Sequence, residues 1–98
     1  EPVLWLTVKT LLNSSPYADV QMRKWNAALI AGCARYPNMR IYDWRSEVQL
    51  PWYISDGIHF TSAGYQQRAK RIAAALARSF PAKGSAVAPC LVSSGIPG

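Results

Sequence analysis

Val3-Leu4-Trp5-Leu6-Thr7-Val8 is an unbroken apolar run, rich in β-branched and aromatic residues, and its reading decides the fold. A strand with one wet face would alternate apolar and polar residues. A continuous run suits a strand covered on both faces, as in a parallel sheet. Lys9 closes the run, and Asn13-Ser14-Ser15-Pro16 supplies turn signals. Parallel strands must be joined by a crossover, usually a helix, and the next segment provides one. Ser15 reads as the N-cap and Pro16 as the first helical residue. Met22, Trp25, Leu29, Cys33 and Tyr36 then recur at helical spacing on one face, up to a stop before Pro37-Asn38. Met39-Arg40-Ile41-Tyr42-Asp43-Trp44 follows as a second, short, aromatic strand.

A loop from Arg45 to Phe60 leads to a last helix opened by Thr61 as N-cap. Tyr65, Ala69, Ile72, Leu76 and Phe80 mark its apolar face, and Arg68, Lys70, Arg71 and Arg78 its solvated side. After Pro81 the composition shifts to Ala, Gly, Ser and Pro. Residues 81–98 therefore read as a tail, poorly ordered over Ala82–Gly98 unless Cys90 anchors it, and residues 1–80 as the structured part. The fold class is α/β. Two strands cannot form a sheet covered on both sides, so further strands are expected before Glu1. The opening Glu1-Pro2-Val3-Leu4 has no starting Met, basic stretch or signal-like apolar region, and reads as a cut end.

The chain has 98 residues, half of them apolar and four of them Trp, enough to pack one small domain or a piece of one. No apolar run approaches the roughly 20 residues of a membrane-spanning helix. The net charge of +6 raises the question of nucleic acid. Outside the last helix the basic residues are scattered from Lys9 to Lys83 with no aromatic-plus-basic module, so no nucleic-acid partner is expected. Cys33 and Cys90 lack metal-ligand spacing and share the chain with a single His, which argues against zinc. They are either a disulfide, implying an oxidising compartment, or two unrelated thiols.

The stretch that carries chemistry is Trp52-Tyr53-Ile54-Ser55-Asp56-Gly57-Ile58-His59-Phe60-Thr61-Ser62-Ala63-Gly64-Tyr65. An acid three residues before a histidine, with Gly57 easing a tight turn, lets the carboxylate reach the imidazole Nδ1 and leaves Nε2 free as a general base. Alone, D-x-x-H is short, and it also describes an ordinary turn hydrogen bond. Trp44, Trp52, Tyr53 and Phe60 either line a pocket beside this pair or pack the loop on to the sheet. Asp43 reads as a turn carboxylate or as a supporting acceptor, and Asn26 as a helix residue bonding across to a loop.

The pattern D-G-I-H-F-T-x-x-G-Y, after a strand–helix–strand unit and before a final amphipathic helix, resembles the last motif block of the SGNH (GDSL-type) hydrolases. The likeness spans roughly Val3 to Phe80, with only Asp56–Thr61 sequence-specific. It implies the C-terminal portion of a three-layer α/β/α, flavodoxin-like sandwich, in which Asp56 orients and His59 acts as general base of a Ser-His-Asp triad. The family's G-D-S nucleophile block and G-x-N-D oxyanion block have no counterpart here, and no serine of the chain sits in a nucleophile elbow. The resemblance thus implies a fragment of a serine esterase or O-acyltransferase that acts on a small ester or an acylated glycan or lipid. The N-terminal part of the same domain would be its partner, and neither metal nor organic cofactor is needed. Some membrane acyltransferases carry such a domain outside the cytoplasm, which implies an extracytoplasmic or secreted setting, with a membrane entering only through a parent protein. The alternative is a non-catalytic remnant or binding module.

Overall fold

The computed structural model describes all residues, Glu1–Gly98. Three parallel strands form one sheet in the order β1 (Val3–Leu6), β2 (Met39–Tyr42), β3 (Leu91–Val92). The helices are α1 (Asp19–Gly32), a four-residue α2 (Trp44–Glu47) and α3 (Ser62–Ser79), with single 3-10 turns at Cys33–Arg35 and Leu50–Trp52. Register follows side-chain alternation: Val3 pairs with Met39 and Trp5 with Ile41 on one face, Leu4 with Arg40 and Leu6 with Tyr42 on the other. Leu29 of α1 and Cys33 of the turn that follows it pack on Met39 and Ile41, whereas Ile72 and Ala75 of α3 pack with Tyr42, Leu4, Leu6 and Val92. The sheet therefore carries one helix on each face. The architecture is α/β, as the apolar run at Val3 implied.

Several local expectations are corrected. The first strand stops at Leu6 rather than Val8, because Asn26 of α1 takes over Val8: its Oδ1 accepts from Val8 N–H and its Nδ2 donates to Val8 C=O, both at 2.9 Å. Ser15 does not cap α1. It has a left-handed φ of 85° in a turn whose carbonyl accepts from Ala18, and α1 begins only at Asp19, whose N–H bonds to Leu12 C=O. Trp25 and Tyr36 are exposed, at 65% and 55%, so only part of the expected α1 face meets the sheet.

Arg71 is not on a solvated face. It is 3% exposed and bonds Glu47 Oε1 at 2.8 Å. The tail is structured because Cys90 is bridged to Cys33, with Cα atoms 6.3 Å apart. The bridge holds β3 against β2, where Ile41 and Asp43 N–H donate to Cys90 and Val92 carbonyls. The third strand thus comes from after α3.

The outer side of β1 is open. Val3 and Thr7 N–H point to β2, so by alternation Leu4 and Leu6 present their backbone groups outward. Beside this edge, at the amino end of the sheet, an apolar groove of about 500 Å³ is lined by Val3, Trp5, Trp25, Leu29, Tyr36 and Met39. No helix is long and apolar enough to cross a membrane.

The Cys33–Cys90 bridge spans 57 residues of sequence. Removing loop-closure entropy of that size from the unfolded chain stabilises the fold by roughly 4 kcal/mol. Cys33→Ser/Cys90→Ser should lower the unfolding free energy in urea by about that amount; a loss below about 1 kcal/mol would refute the assignment.

Candidate active site

The Asp56–His59 turn is built by a short antiparallel closure. Tyr53 bridges Phe60 across it, and Ile54 N–H bonds to His59 C=O at 2.9 Å. Reversing the chain in so few residues needs one left-handed position, and Gly57 supplies it with φ of 72°. Gly57 is also where the turn docks. Its carbonyl accepts from Leu11 N–H at 2.9 Å, and a Cβ there would lie 3.2–3.3 Å from Leu12 and Leu11 side chains. Gly64 is required for a different reason, since a Cβ would fall 2.6 Å from Trp52 O. The first turn of α3 can approach the base of the loop only without a side chain at that position. Thr61 caps α3, its hydroxyl accepting from Gly64 N–H at 3.0 Å as the sequence predicts.

Within this frame Asp56 and His59 meet. Asp56 Oδ2 lies 2.6 Å from His59 Nδ1, while Oδ1 accepts the N–H groups of Ile58 and His59 at 2.8 and 2.9 Å. The His59 hydrogen bond first, and the two backbone donors next, hold the Asp56 carboxyl down to about 2. The carboxylate is thus ionised at neutral pH, favours the Nδ1–H tautomer and would stabilise an imidazolium. His59 Nε2 makes no hydrogen bond within the chain, and the side chain is 64% exposed. The turn rests on Leu11, and Tyr53 Oη donates to Lys9 C=O at 2.7 Å, so the pair sits beyond the carboxyl end of β1. Ligand sites of open parallel sheets lie at that end.

Neighbouring groups hold the frame rather than extend the pair. Trp44 is buried and stacked on Trp52 at 5.7 Å; Phe60 meets Trp44 edge-on at 5.7 Å and Tyr53 at 4.9 Å. These aromatics pack the loop on to the sheet through the Tyr42–Trp44 cluster. Asp43 accepts from Thr7 Oγ1 at 2.8 Å and does not touch the pair. Arg45 forks on to Asp19 at 2.7 and 2.6 Å, tying the start of α1 to α2. The guanidinium holds the Asp19 carboxyl well below the usual range. Sequence reasoning missed this pair, because its partners are 26 residues apart with nothing local to join them. No serine hydroxyl bonds to His59, and no group of three His, Cys, Asp or Glu stands together to hold a metal. The large apolar groove lies at the opposite, amino end of the sheet.

No protein-family model, curated protein or solved structure matches the chain.

A depressed carboxyl contributes stability that is present above its unfolded value and lost as pH falls through the folded one, here between about 4 and about 2. Carbon-13 NMR titration of Asp56 should give a midpoint near 2. In His59→Ala the midpoint should rise by at least half a unit, since the largest cause of the depression is gone; an unchanged midpoint would break the proposed contact.

Proposed function

We propose that the chain supplies the Asp/His half of a Ser-His-Asp triad in an SGNH-type serine esterase or O-acyltransferase domain. The single observation behind this is the oriented pair itself: Nδ1 held by a thrice-bonded carboxylate, Nε2 free, at the carboxyl end of a parallel sheet. In the reaction, His59 Nε2 takes the proton of a serine hydroxyl as its Oγ attacks the ester carbonyl, and then gives it to the departing alkoxide. Water or an acceptor alcohol resolves the acyl-serine by the reverse proton path. Asp56 holds the ring and its charge throughout. The reaction uses neither metal nor organic cofactor.

The serine and the oxyanion donors come from a further polypeptide, the N-terminal part of the same domain. The open edge of β1 and the groove lined by Trp5, Trp25 and Leu29 offer it a seat continuous with the sheet. With that part in place, the fold is the flavodoxin-like sandwich of the SGNH hydrolases. Substrates are small esters or acylated glycans or lipids. The disulfide favours an extracytoplasmic or secreted setting.

Residues 1–98 alone should turn over no p-nitrophenyl acetate and take up no serine-directed phosphonate. A stoichiometric adduct on a serine of this chain would refute the assignment of the nucleophile elsewhere. Joined to the serine-bearing segment, the assembly should hydrolyse the ester, with His59→Ala abolishing turnover and Asp56→Asn lowering it about 10²–10⁴-fold. Activity within about tenfold of the parent in either variant would exclude the pair from the mechanism. An assembly that stays inactive would favour a non-catalytic remnant or binding module.

A further inference from the structure

The segment after α3 is held at several points. Cys90 is bridged to Cys33, and the carbonyls of Cys90 and Val92 accept from the N–H groups of Ile41 and Asp43 at 2.8 and 2.9 Å. Ser94 gives its N–H and hydroxyl to Glu47 at 2.9 and 2.6 Å. Ile96 and Pro97 give their carbonyls to the Arg71 guanidinium, each at 3.1 Å. From there contact runs inward. Arg71 lies over the Trp52 ring at 5.3 Å, Trp52 stacks on Trp44, and Trp44 meets Phe60, the neighbour of His59. Trp52 C=O also accepts Thr61 N–H at 2.8 Å, closing the base of the Asp56–His59 turn.

We propose that the Cys33–Cys90 bridge is a redox latch on this strap: reduction by a dithiol releases residues 91–98 and loosens the turn that carries Asp56 and His59. The consequence for catalysis rests on the esterase reading; the coupling is a property of the chain by itself. The exchange balances. A thiolate of the reductant attacks Cys90 Sγ, the half-buried end of the bridge, and the Cys33–Cys90 bond breaks as a mixed disulfide forms. The second reductant thiol displaces Cys90, and the reductant leaves as its own disulfide. Two electrons have entered the bridge, and two protons complete the Cys33 and Cys90 thiols.

β3 has two residues and pairs on one side only, so this strand has little stability of its own without the bridge. When it leaves, Arg71, which is 3% exposed with the strap in place, loses two acceptors and Glu47 loses both Ser94 donors, and both side chains are opened to water. Polar groups stripped of partners in this way move toward water, and Trp52, stacked under Arg71, moves with them.

Amide hydrogen exchange of the full chain, oxidised and in dithiothreitol, tests this. In the reduced protein Ile41, Asp43 and Ser94 should exchange at least tenfold faster, and so should Ile54 and Thr61, while the Ala75 amide of α3 keeps its protection. Fast exchange at the strap with Ile54 and Thr61 unchanged overturns the coupling, and a strap that stays protected overturns the latch. If reduction unfolds the whole chain, the latch is overturned, and oxidised Arg71→Lys decides the coupling: it removes the fork on Ile96 and Pro97 while the bridge preserves the fold. Faster exchange at Ile54 and Thr61 in that variant supports the path through Trp52; parent-like exchange overturns it. Each readout is independent of esterase activity, so failure of the latch and failure of the triad assignment are distinguishable.

Discussion

The layers of this protein converge on one carboxylate. Glu47 Oε1 accepts from Tyr42 Oη of β2 at 2.9 Å, from Arg71 of α3 at 2.8 Å and from Ser94 Oγ of the C-terminal segment at 2.6 Å; Oε2 takes Ser94 N–H. Burial pushes the Glu47 carboxyl upward, but the bonds from Ser94, Arg71 and Tyr42 together outweigh it and hold it below its ordinary value. The stability it contributes is therefore present above the usual carboxylate range and is lost on acidification below it. Removing one partner of a buried pair of this kind costs about 3–5 kcal/mol, because the other charge is left bare. Tyr42, whose phenol is raised by burial and then by Glu47, remains a donor at any ordinary pH.

Glu47 belongs to α2, a helix of four residues that also carries Arg45. Residues two apart on a helix do not share a face. Arg45 accordingly reaches the Asp19 carboxylate on α1, and Glu47 reaches α3 and the C-terminal segment. A single turn of helix thus clamps the elements on both faces of the sheet. The same turn places Trp44, against which Trp52 and Phe60 pack, so the site loop is seated on the sheet by way of this clamp.

The parts legible in the sequence are those whose cause is local. The run from Val3 marks a strand of a parallel sheet, although its Val3 and Trp5 face stays exposed beside the groove, the Thr61 cap marks the start of α3, and an acid–Gly–x–His spacing marks a turn that closes on itself. Each signal needs only a few neighbouring residues. The parts that were not legible depend on distant partners. Ser15-Pro16 has the chemistry of a helix start, but Asp19 is drawn to Thr10 and Arg45, and the helix waits for it. Arg71 has the spacing of a solvated residue and is buried because Glu47 and two tail carbonyls surround it. Leu91-Val92 is too short to announce a strand, and pairing with β2 depends on a bridge to a residue 57 positions earlier. Of the site, the Asp56–His59 contact was readable and its docking on Leu11 was not.

The carboxamide of Asn26 offers Val8 the same donor and acceptor that a neighbouring peptide group would. It behaves as a fixed punctuation mark at the end of an otherwise open edge. A strand laid beside β1 would find unclaimed backbone only at Leu4 and Leu6, and could not run on past Val8 without evicting the amide. Sheet extension on that side is thereby confined to the stretch before Val8, a limit set by the side chain of a helix.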